Sequence, residues 1–469
     1  MCGVCGIVDL SNSPPIKADE LHDMCKTIEH RGPDGIRTMI RNSVAFGHTR
    51  LAIIDTETGW QPIANEDASI FVILNGEIYN FQELRKYLIG LGHQFSTSSD
   101  TEVIVHLYEE EGLEFVKSIN GMFALAIWDE PNRRLILARD RIGEKPLFYS
   151  MQGSKLLFAS ETKALSGKGF VSPQIDPIAL TSYLTYGYVA EPLSIFDKIS
   201  KLPPAHILIY DDSGLQINRY WELNKTSDIS ISPEDAVNET RRLTDIAVSS
   251  RLVSDVPLGF FLSGGLDSSI VVASAAQTSS SKLKTFSIGF EEESYSELIY
   301  ARTIAERFDT DHEEFILTAD LASDMESIVR FADEPFADSS MIPMYYLSRQ
   351  TRRHVTVALS GDGGDEVFAG YDRYLGFKLA NNYYRIPSFI RKGFISPLTR
   401  LIKEYPGKRS NLRRIKRLTY PDTNSAALWY MGWMQQIRTE SHGKAFTTDF
   451  ASAIAAKGGW ENHLSTAFK

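Results

Sequence analysis

Cysteine is scarce in this 469-residue chain, and long apolar runs are missing. The three cysteines, Cys2, Cys5 and Cys25, are odd in number and crowded into the first 25 residues. That distribution argues against a secreted disulfide framework and for reduced thiols in a cytoplasmic protein. Val256–Leu266 and Ser268–Ser281 are the most apolar stretches, separated by Asp267; neither reaches the roughly 20 apolar residues of a membrane span. Met1 to Leu10 lacks the basic start of a signal peptide. Positive charge is in deficit, 49 Lys and Arg against 60 Asp and Glu, a net charge of −11. No whole-protein field draws this chain to nucleic acid or an anionic membrane, and neither is expected as a partner. Arg391–Arg417 carries ten basic residues against the single acid Glu404, its aromatics not interleaved as base stacking would require, and reads as a solvated helical surface.

Ordinary proportions of apolar (43%) and charged (23%) residues suit about two or three globular domains. The first 160 residues read as β-rich, with apolar runs at Val44–Phe46, Leu51–Ile54, Ile70–Leu74, Met122–Trp128, Leu135–Ala138 and Leu156–Ala159. Helical spacing covers Phe81–Leu91 and Thr101–Glu111, the second with Asp100 as N-cap. Residues 165–230 are broken by prolines and read as a connection with a few strands. Ser232-Pro233-Glu234-Asp235 starts a helix that turns Ala236, Leu243 and Ala247 inward. From Val256 strands and helices alternate through Leu359, the rhythm of βαβ units around a doubly wound parallel sheet with ligands at the strand carboxyl ends.

Cys2 becomes the N-terminal residue if Met1 is removed. Its thiol and a free α-amine then share one carbon. An amine with a pKa of about 7.7–8.0 is partly neutral near neutral pH and can take the thiol proton, the N-terminal nucleophile arrangement. Cys2-Gly3 is followed by Arg31-Gly32-Pro33-Asp34-Gly35, Gly47-His48-Thr49-Arg50-Leu51, Asn75-Gly76-Glu77-Ile78-Tyr79-Asn80 and Ser99-Asp100-Thr101-Glu102. Asn120-Gly121-Met122-Phe123-Ala124 and Arg139-Asp140-Arg141-Ile142-Gly143 complete the series. In this order it resembles the glutaminase domain of class II glutamine amidotransferases, an αββα sandwich of the N-terminal-nucleophile type, over residues 2–164. Asn75 and Gly76 suit an oxyanion hole, Arg50 a substrate α-carboxylate, and Asp100 with Glu77 an α-ammonium. The resemblance implies glutamine contacts from Arg50, Leu51, Ile54, Asn75, Gly76, Glu77 and Asp100.

Leu262-Ser263-Gly264-Gly265-Leu266-Asp267-Ser268-Ser269 follows an apolar strand and opens a helix. Small residues there let backbone N–H groups approach phosphate oxygens; the Gly-Lys-Ser/Thr ending of a Walker loop is absent. The segment resembles the SGGxDS loop of ATP pyrophosphatases. With Ile288 beside an adenine and Ser360-Gly361-Asp362-Gly363-Gly364-Asp365-Glu366 at another strand end, the resemblance implies an ATP site. It comprises Leu262, Ser263, Gly264, Gly265, Asp267, Ser268, Ser269, Ile288, Ser360 and Gly361. Asp267 and Asp365 would hold Mg²⁺ as hard oxygen ligands, and Asp362 would act in adenylate formation or proton removal.

Together the segments resemble glutamine-dependent asparagine synthetases, collinear from residue 2 to about Tyr374. The resemblance implies glutamine, aspartate and ATP as substrates, with ammonia from Cys2 passing along an apolar channel to an aspartyl-adenylate; a homodimer is the candidate oligomer. Three departures stand against it. Asp362 replaces a frequent Glu, and Tyr295-Ser296-Glu297 lacks one carboxylate of the family segment. The family's Lys-x-Asp-Arg segment has no counterpart here, Lys444 and Lys457 lacking its context. The second domain, 231–469, is therefore expected to be C-terminally incomplete. Alternative readings are an amidotransferase acting on a sugar acid or peptide, or a chain that retains only glutaminase activity and nucleotide binding.

Overall fold

The short apolar runs of the first half pair into antiparallel sheets. The computed structural model describes residues 1–11, 16–167, 170–223, 230–292, 296–318, 321–400, 419, 426–437 and 445–459. Strands of the first half are β1 (Gly3–Asp9), β2 (Gly35–Ile40), β3 (Val44–Arg50), β4 (Ile63–Ala64), β5 (Ile70–Ile78) and β6 (Gly121–Asp129). They continue as β7 (Arg134–Arg139), β8 (Phe148–Gln152), β9 (Lys155–Ala159), β10 (Ser200–Lys201), β11 (His206–Asp211) and β12 (Gly214–Arg219). One sheet has the order β10-β8-β9-β1-β3-β2 and the other β12-β11-β7-β6-β5-β4. Between them lies an apolar layer of Val4, Val8 and Phe46 against Ile73, Ala126, Trp128 and Leu137. Helix α1 (Ala18–Thr27) covers the outer face of the first sheet through Leu21, Met24 and Cys25. Helices α2 (Phe81–Leu91) and α3 (Glu102–Glu111) cover the second through Leu88, Val103 and Leu107. The result is the expected four-layer αββα sandwich. Segment 165–230 contributes β10 to one sheet and the β11–β12 hairpin to the other.

The second half supplies β13 (Leu258–Phe261), β14 (Lys284–Phe290), β15 (Asp311–Leu317) and β16 (Val357–Leu359), all parallel, in the order β15-β14-β13-β16. Helices Leu266–Thr278 and Leu298–Arg307 pack on this sheet through Val272, Ala275, Ala301 and Ala305. Sandwich and parallel sheet belong to one compact unit, residues 1–176, 190–334 and 339–360. The Asp255 carboxylate accepts the Asp55 N–H at 2.7 Å, and the Asp255 N–H donates to the Ile53 carbonyl at 2.9 Å. Asp333 accepts the N–H groups of Thr162 (2.6 Å) and Lys163 (3.2 Å). A second unit, 177–189, 335–338 and 361–469, is helical where described, with Pro177–Tyr186, Asp372–Tyr384, Ala426–Met434 and Thr448–Ala456.

Three local expectations are corrected. Leu51–Ile54 is a loop rather than a strand, because its backbone bonds elsewhere: Ala52 N–H to Asp34 (2.8 Å), and Ile53 C=O from Asp255. Asp100 does not cap α3. Thr101 stands at the cap, and the Asp100 carboxylate accepts the Ile78 N–H at 2.8 Å. In helix Pro233–Ser250 the Ser232 hydroxyl accepts the Asp235 N–H as expected, but Leu243 and Ala247 face solvent. Val248 is the buried residue there, and Asp245 accepts a hydrogen bond from Ser274 at 2.6 Å. Helix Leu266–Thr278 meets a different stripe from the one the apolar spacing suggested. Tyr295, Lys444 and positions 401–417 of the basic region lie outside the described residues.

Candidate active site

Cys2 sits at the start of β1, an interior strand, opposite the end of β3. Its Sγ donates to the Leu51 carbonyl (3.4 Å) and accepts the Leu51 N–H (3.3 Å). Burial pushes the thiol pKa up, and the Leu51 N–H only partly offsets this. The resting group is therefore a thiol that needs a base. Desolvation of the α-amine of Met1, a residue whose side chain is exposed, lowers that amine to about 5. Arg31 Nε donates to the Cys2 carbonyl at 3.0 Å, and Arg31 Nη1 pairs with Glu161 at 2.7 Å.

Asn75 and Gly76 stand on β5 beyond the reach of β4, which pairs only with Phe71 and Val72. The outward N–H groups along this free edge find side-chain acceptors, Leu74 on Gln61 (2.5 Å) and Ile78 on Asp100 (2.8 Å). Gly76 lies between them with the same parity, so its N–H points to the same edge. The Asn75 side chain is fully buried, and neither its Oδ1 nor its Nδ2 has a hydrogen-bond partner among the described residues. An amide buried without partners costs about 1–3 kcal/mol; a substrate that bonds to it would recover this.

Arg50 is 3% exposed, its guanidinium donating to the carbonyls of Asp55 (2.5 Å) and Thr56 (3.2 Å) and lying 4.6 Å from the Trp60 ring centre. The planar fork is fixed with donors to spare. Asp100 is raised to about 6, chiefly by burial, and burial together with the Asp100 charge drives Glu77 well above the usual carboxylate range. A buried carboxyl and a half-buried one that resist ionising together are a place where an ammonium group is stabilising. Ile54 is partly buried against the α2–α3 core. Sequence reading left Lys145 without a role. It is buried, its Nζ donates to Met1 Sδ at 3.1 Å, and its charge acts on Glu77. Its signal was its place two residues beyond the Arg139–Gly143 motif.

In the parallel-sheet half, Leu262 follows β13 directly, its N–H on the Phe286 carbonyl at 2.9 Å. Ser263 Oγ and Ser268 Oγ lie 3.0 Å apart, and Ser263 Oγ accepts the Gly265 N–H at 3.1 Å. Ser268 and Ser269 return their hydroxyls to the Gly265 carbonyl at 3.2 and 2.6 Å. Gly264 has φ +79°, and a Cβ there would stand 2.5 Å from Ala301 N, so only glycine fits. The loop thus delivers the chain to the N-terminus of helix Leu266–Thr278, whose first N–H groups lack helical acceptors. Asp267 lies in that first turn and makes no hydrogen bond or ion pair among the described residues. Ile288 is partly buried in the core at the carboxyl half of β14. Ser360 follows β16 in the same unit, whereas Gly361, Asp362 and Asp365 belong to the second unit, Asp365 in the short helix Gly364–Phe368.

A cavity of about 250 Å³ lies against Arg31, on the parallel-sheet side of the sandwich. Its walls carry Arg31, Arg139, Glu161, Glu191, Lys201 and Glu334. Pro146, Leu147, Phe148, Phe331 and Ala332 supply the apolar part of its lining.

A thiol beside an interior strand, a buried amide without partners among the described residues and a glycine-built loop at a helix N-terminus are thus set on three different sheets of one unit. Residues 1–221 match the glutamine amidotransferase domain family and residues 239–454 the asparagine synthase family. Asparagine synthetase [glutamine-hydrolyzing] 1 of Bacillus subtilis (strain 168) is 37% identical over 396 residues, 83% of this chain and 62% of that protein. A putative asparagine synthetase [glutamine-hydrolyzing] 2 of Methanocaldococcus jannaschii is 37% identical over 416 residues, 83% of this chain and 79% of that one. The chain belongs to the glutamine-hydrolysing asparagine synthetase family. It spans about three-fifths of the length of the first of these relatives. Among solved structures, a glutamine phosphoribosylpyrophosphate amidotransferase from B. subtilis matches 69% of this chain and 70% of its own at 20% identity and a TM-score of 0.36, too slight a likeness to support anything further.

Proposed function

We propose that this chain hydrolyses glutamine at Cys2 and passes the ammonia to a carboxylate activated by ATP, with aspartate the acceptor and asparagine, AMP, pyrophosphate and glutamate the products. The observation that carries the glutaminase half is the buried, unpartnered amide of Asn75 beside the outward Gly76 N–H. These two donors would hold the oxyanion formed when sulfur attacks the glutamine side-chain amide. Once Met1 is removed, the α-amine of Cys2 takes the thiol proton and returns it to the departing ammonia. Arg50, beside Leu51 and Ile54, would receive the substrate α-carboxylate, and Glu77 with Asp100 its α-ammonium.

Ammonia displaces oxide from a free carboxylate too poorly to react, so the acceptor is first joined to AMP with release of pyrophosphate. The loop Leu262–Ser269 would bind the phosphates, with Ile288, Ser360 and Gly361 completing the nucleotide site and Asp362 acting on the acyl-adenylate. The uncommitted carboxylate of Asp267 fits a hard cation. Asp267 and Asp365 would hold Mg²⁺, which neutralises pyrophosphate charge. No described helix is long and apolar enough to cross a membrane, consistent with work in the cytoplasm.

The test is Cys2→Ala in the full chain, assayed with glutamine or ammonium and with aspartate and ATP. Loss of glutamine-dependent pyrophosphate release with retention of the ammonium-dependent reaction is expected. Glutaminase activity that survives the change overturns the assignment of the nucleophile. Replacing aspartate by other carboxylates in the same assay tests the acceptor; faster turnover of a sugar acid or peptide would favour the alternative.

A further inference from the structure

On the outer helical layer of the sandwich, Glu66, His93, His106 and Glu109 converge from three segments: the β4–β5 turn, the α2–α3 loop and α3. One ligand-type atom from each lies within 4.8 Å of all the others. His106 Nδ1 is 3.3 Å from Glu66 Oε2 and 3.3 Å from Glu109 Oε2, and His93 Nδ1 is 3.2 Å from Glu66 Oε1 and 3.8 Å from Glu109 Oε2. An ion bound tetrahedrally with bonds of about 2.0–2.1 Å spaces its donors by roughly 3.3 Å. The side chains already stand near that spacing.

The surroundings are those of metal ligands. His93 Nε2 is 3.0 Å from Glu110 Oε1, and Glu102 Oε1 lies 3.8 Å from His106 Nε2. His93 therefore has a hydrogen-bonded carboxylate behind the nitrogen that faces away from the cluster, the arrangement that fixes the tautomer of a ligating histidine, whereas Glu102 stands too far from His106 Nε2 to bond to it. Both glutamates accept further hydrogen bonds from neighbouring groups. Asn65 Nδ2 donates to Glu109 Oε1 at 2.8 Å, and the Gln94 N–H donates to Glu66 Oε1 at 2.9 Å. The His106 ring is wholly buried, and its Nε2 has no hydrogen-bond partner among the described residues. A neutral imidazole between carboxylates must turn one lone pair toward negative oxygen. Only a second proton or a cation at the centre removes that repulsion.

We propose that Glu66, His93, His106 and Glu109 form a structural site for a divalent transition ion of the zinc class. Two imidazoles and two carboxylates suit such an ion, and four protein donors close the coordination shell, so the site staples and does not catalyse. It would pin the β4–β5 turn and the α2–α3 loop to α3, the helix that begins two residues after Asp100.

Cobalt(II), titrated into the chelator-treated full chain, tests this by its visible absorption. One equivalent should bind with the intense bands of a four-coordinate ion and without the near-ultraviolet charge transfer of thiolate ligation, and zinc should displace it. His93→Ala and Glu66→Gln, at positions that reach solvent, should weaken binding by about 100-fold or more. Glu110→Gln should weaken it by about 10–100-fold, as loss of an outer partner does. Circular dichroism separates these losses from misfolding. Absence of saturable binding, equal affinity in folded His93→Ala, or a thiolate band would overturn the site and leave a doubly protonated histidine–glutamate network in its place.

Discussion

At the scale of single residues, the Asn75 side chain separates function from stability. Because its amide has no partner among the described residues, Asn75→Ala breaks no internal hydrogen bond. We expect glutaminase kcat to fall by about 10²–10³ while the melting temperature holds or rises, measured by ammonia release and calorimetry. Asp100 makes a second case. Its proton leaves near pH 6 in the folded chain, against 3.8 for a free aspartate. The folded state therefore binds more protons than the unfolded one in that window, and stability falls as pH rises through it. With Asp100 receiving the glutamine ammonium, as proposed, the substrate would select the ionised carboxyl, so KM should climb as pH drops below about 6 and lose that dependence in Asp100→Asn. The sequence showed these residues because each sits in a motif of several fixed neighbours. It did not show Lys145, whose part comes from burial beside a chain terminus.

Among elements, the glycine positions divide by what stands behind them. A Cβ on Gly76 would lie 2.0 Å from the Met122 carbonyl of β6. Gly76→Ala should thus destabilise the sheet by about 1–3 kcal/mol, read as a lowered denaturation midpoint, besides misdirecting the N–H of residue 76 itself. Gly264→Ala should abolish nucleotide binding in a titration with ATP while glutamine hydrolysis continues, because its strain lies in the loop proposed to hold the phosphates. Strand and helix existence was legible throughout the βαβ half, where period and punctuation agree. The orientation of helix Pro233–Ser250 was not. Its apolar residues Val237, Leu243 and Ile246 are exposed, and the buried stripe is chosen by the neighbouring helix, which local spacing cannot reveal. Leu51–Ile54 misled for the converse reason: apolar composition suggested a strand, but its backbone partners come from distant loops.

For the whole molecule, hydrogen bonds between side chains and backbone tie the sandwich to the parallel-sheet half. Asp333 holds the N–H groups of Thr162 and Lys163, and no sequence period forecasts a bond across 171 residues. Asp333→Ala leaves both donors unmatched, at about 1–3 kcal/mol. Thermal unfolding should then split into two transitions in place of one, while steady-state glutaminase activity persists below the first. One last consequence belongs to the place of β1. Chain ends ordinarily fray, yet here the opening strand is flanked on both sides, by β9 and β3. Amide hydrogens of Val4 to Val8 should exchange with deuterium only when the entire sandwich melts. The attacking sulfur would then keep its aim until the fold itself is lost, and heat inactivation would report global collapse rather than a loosened tip.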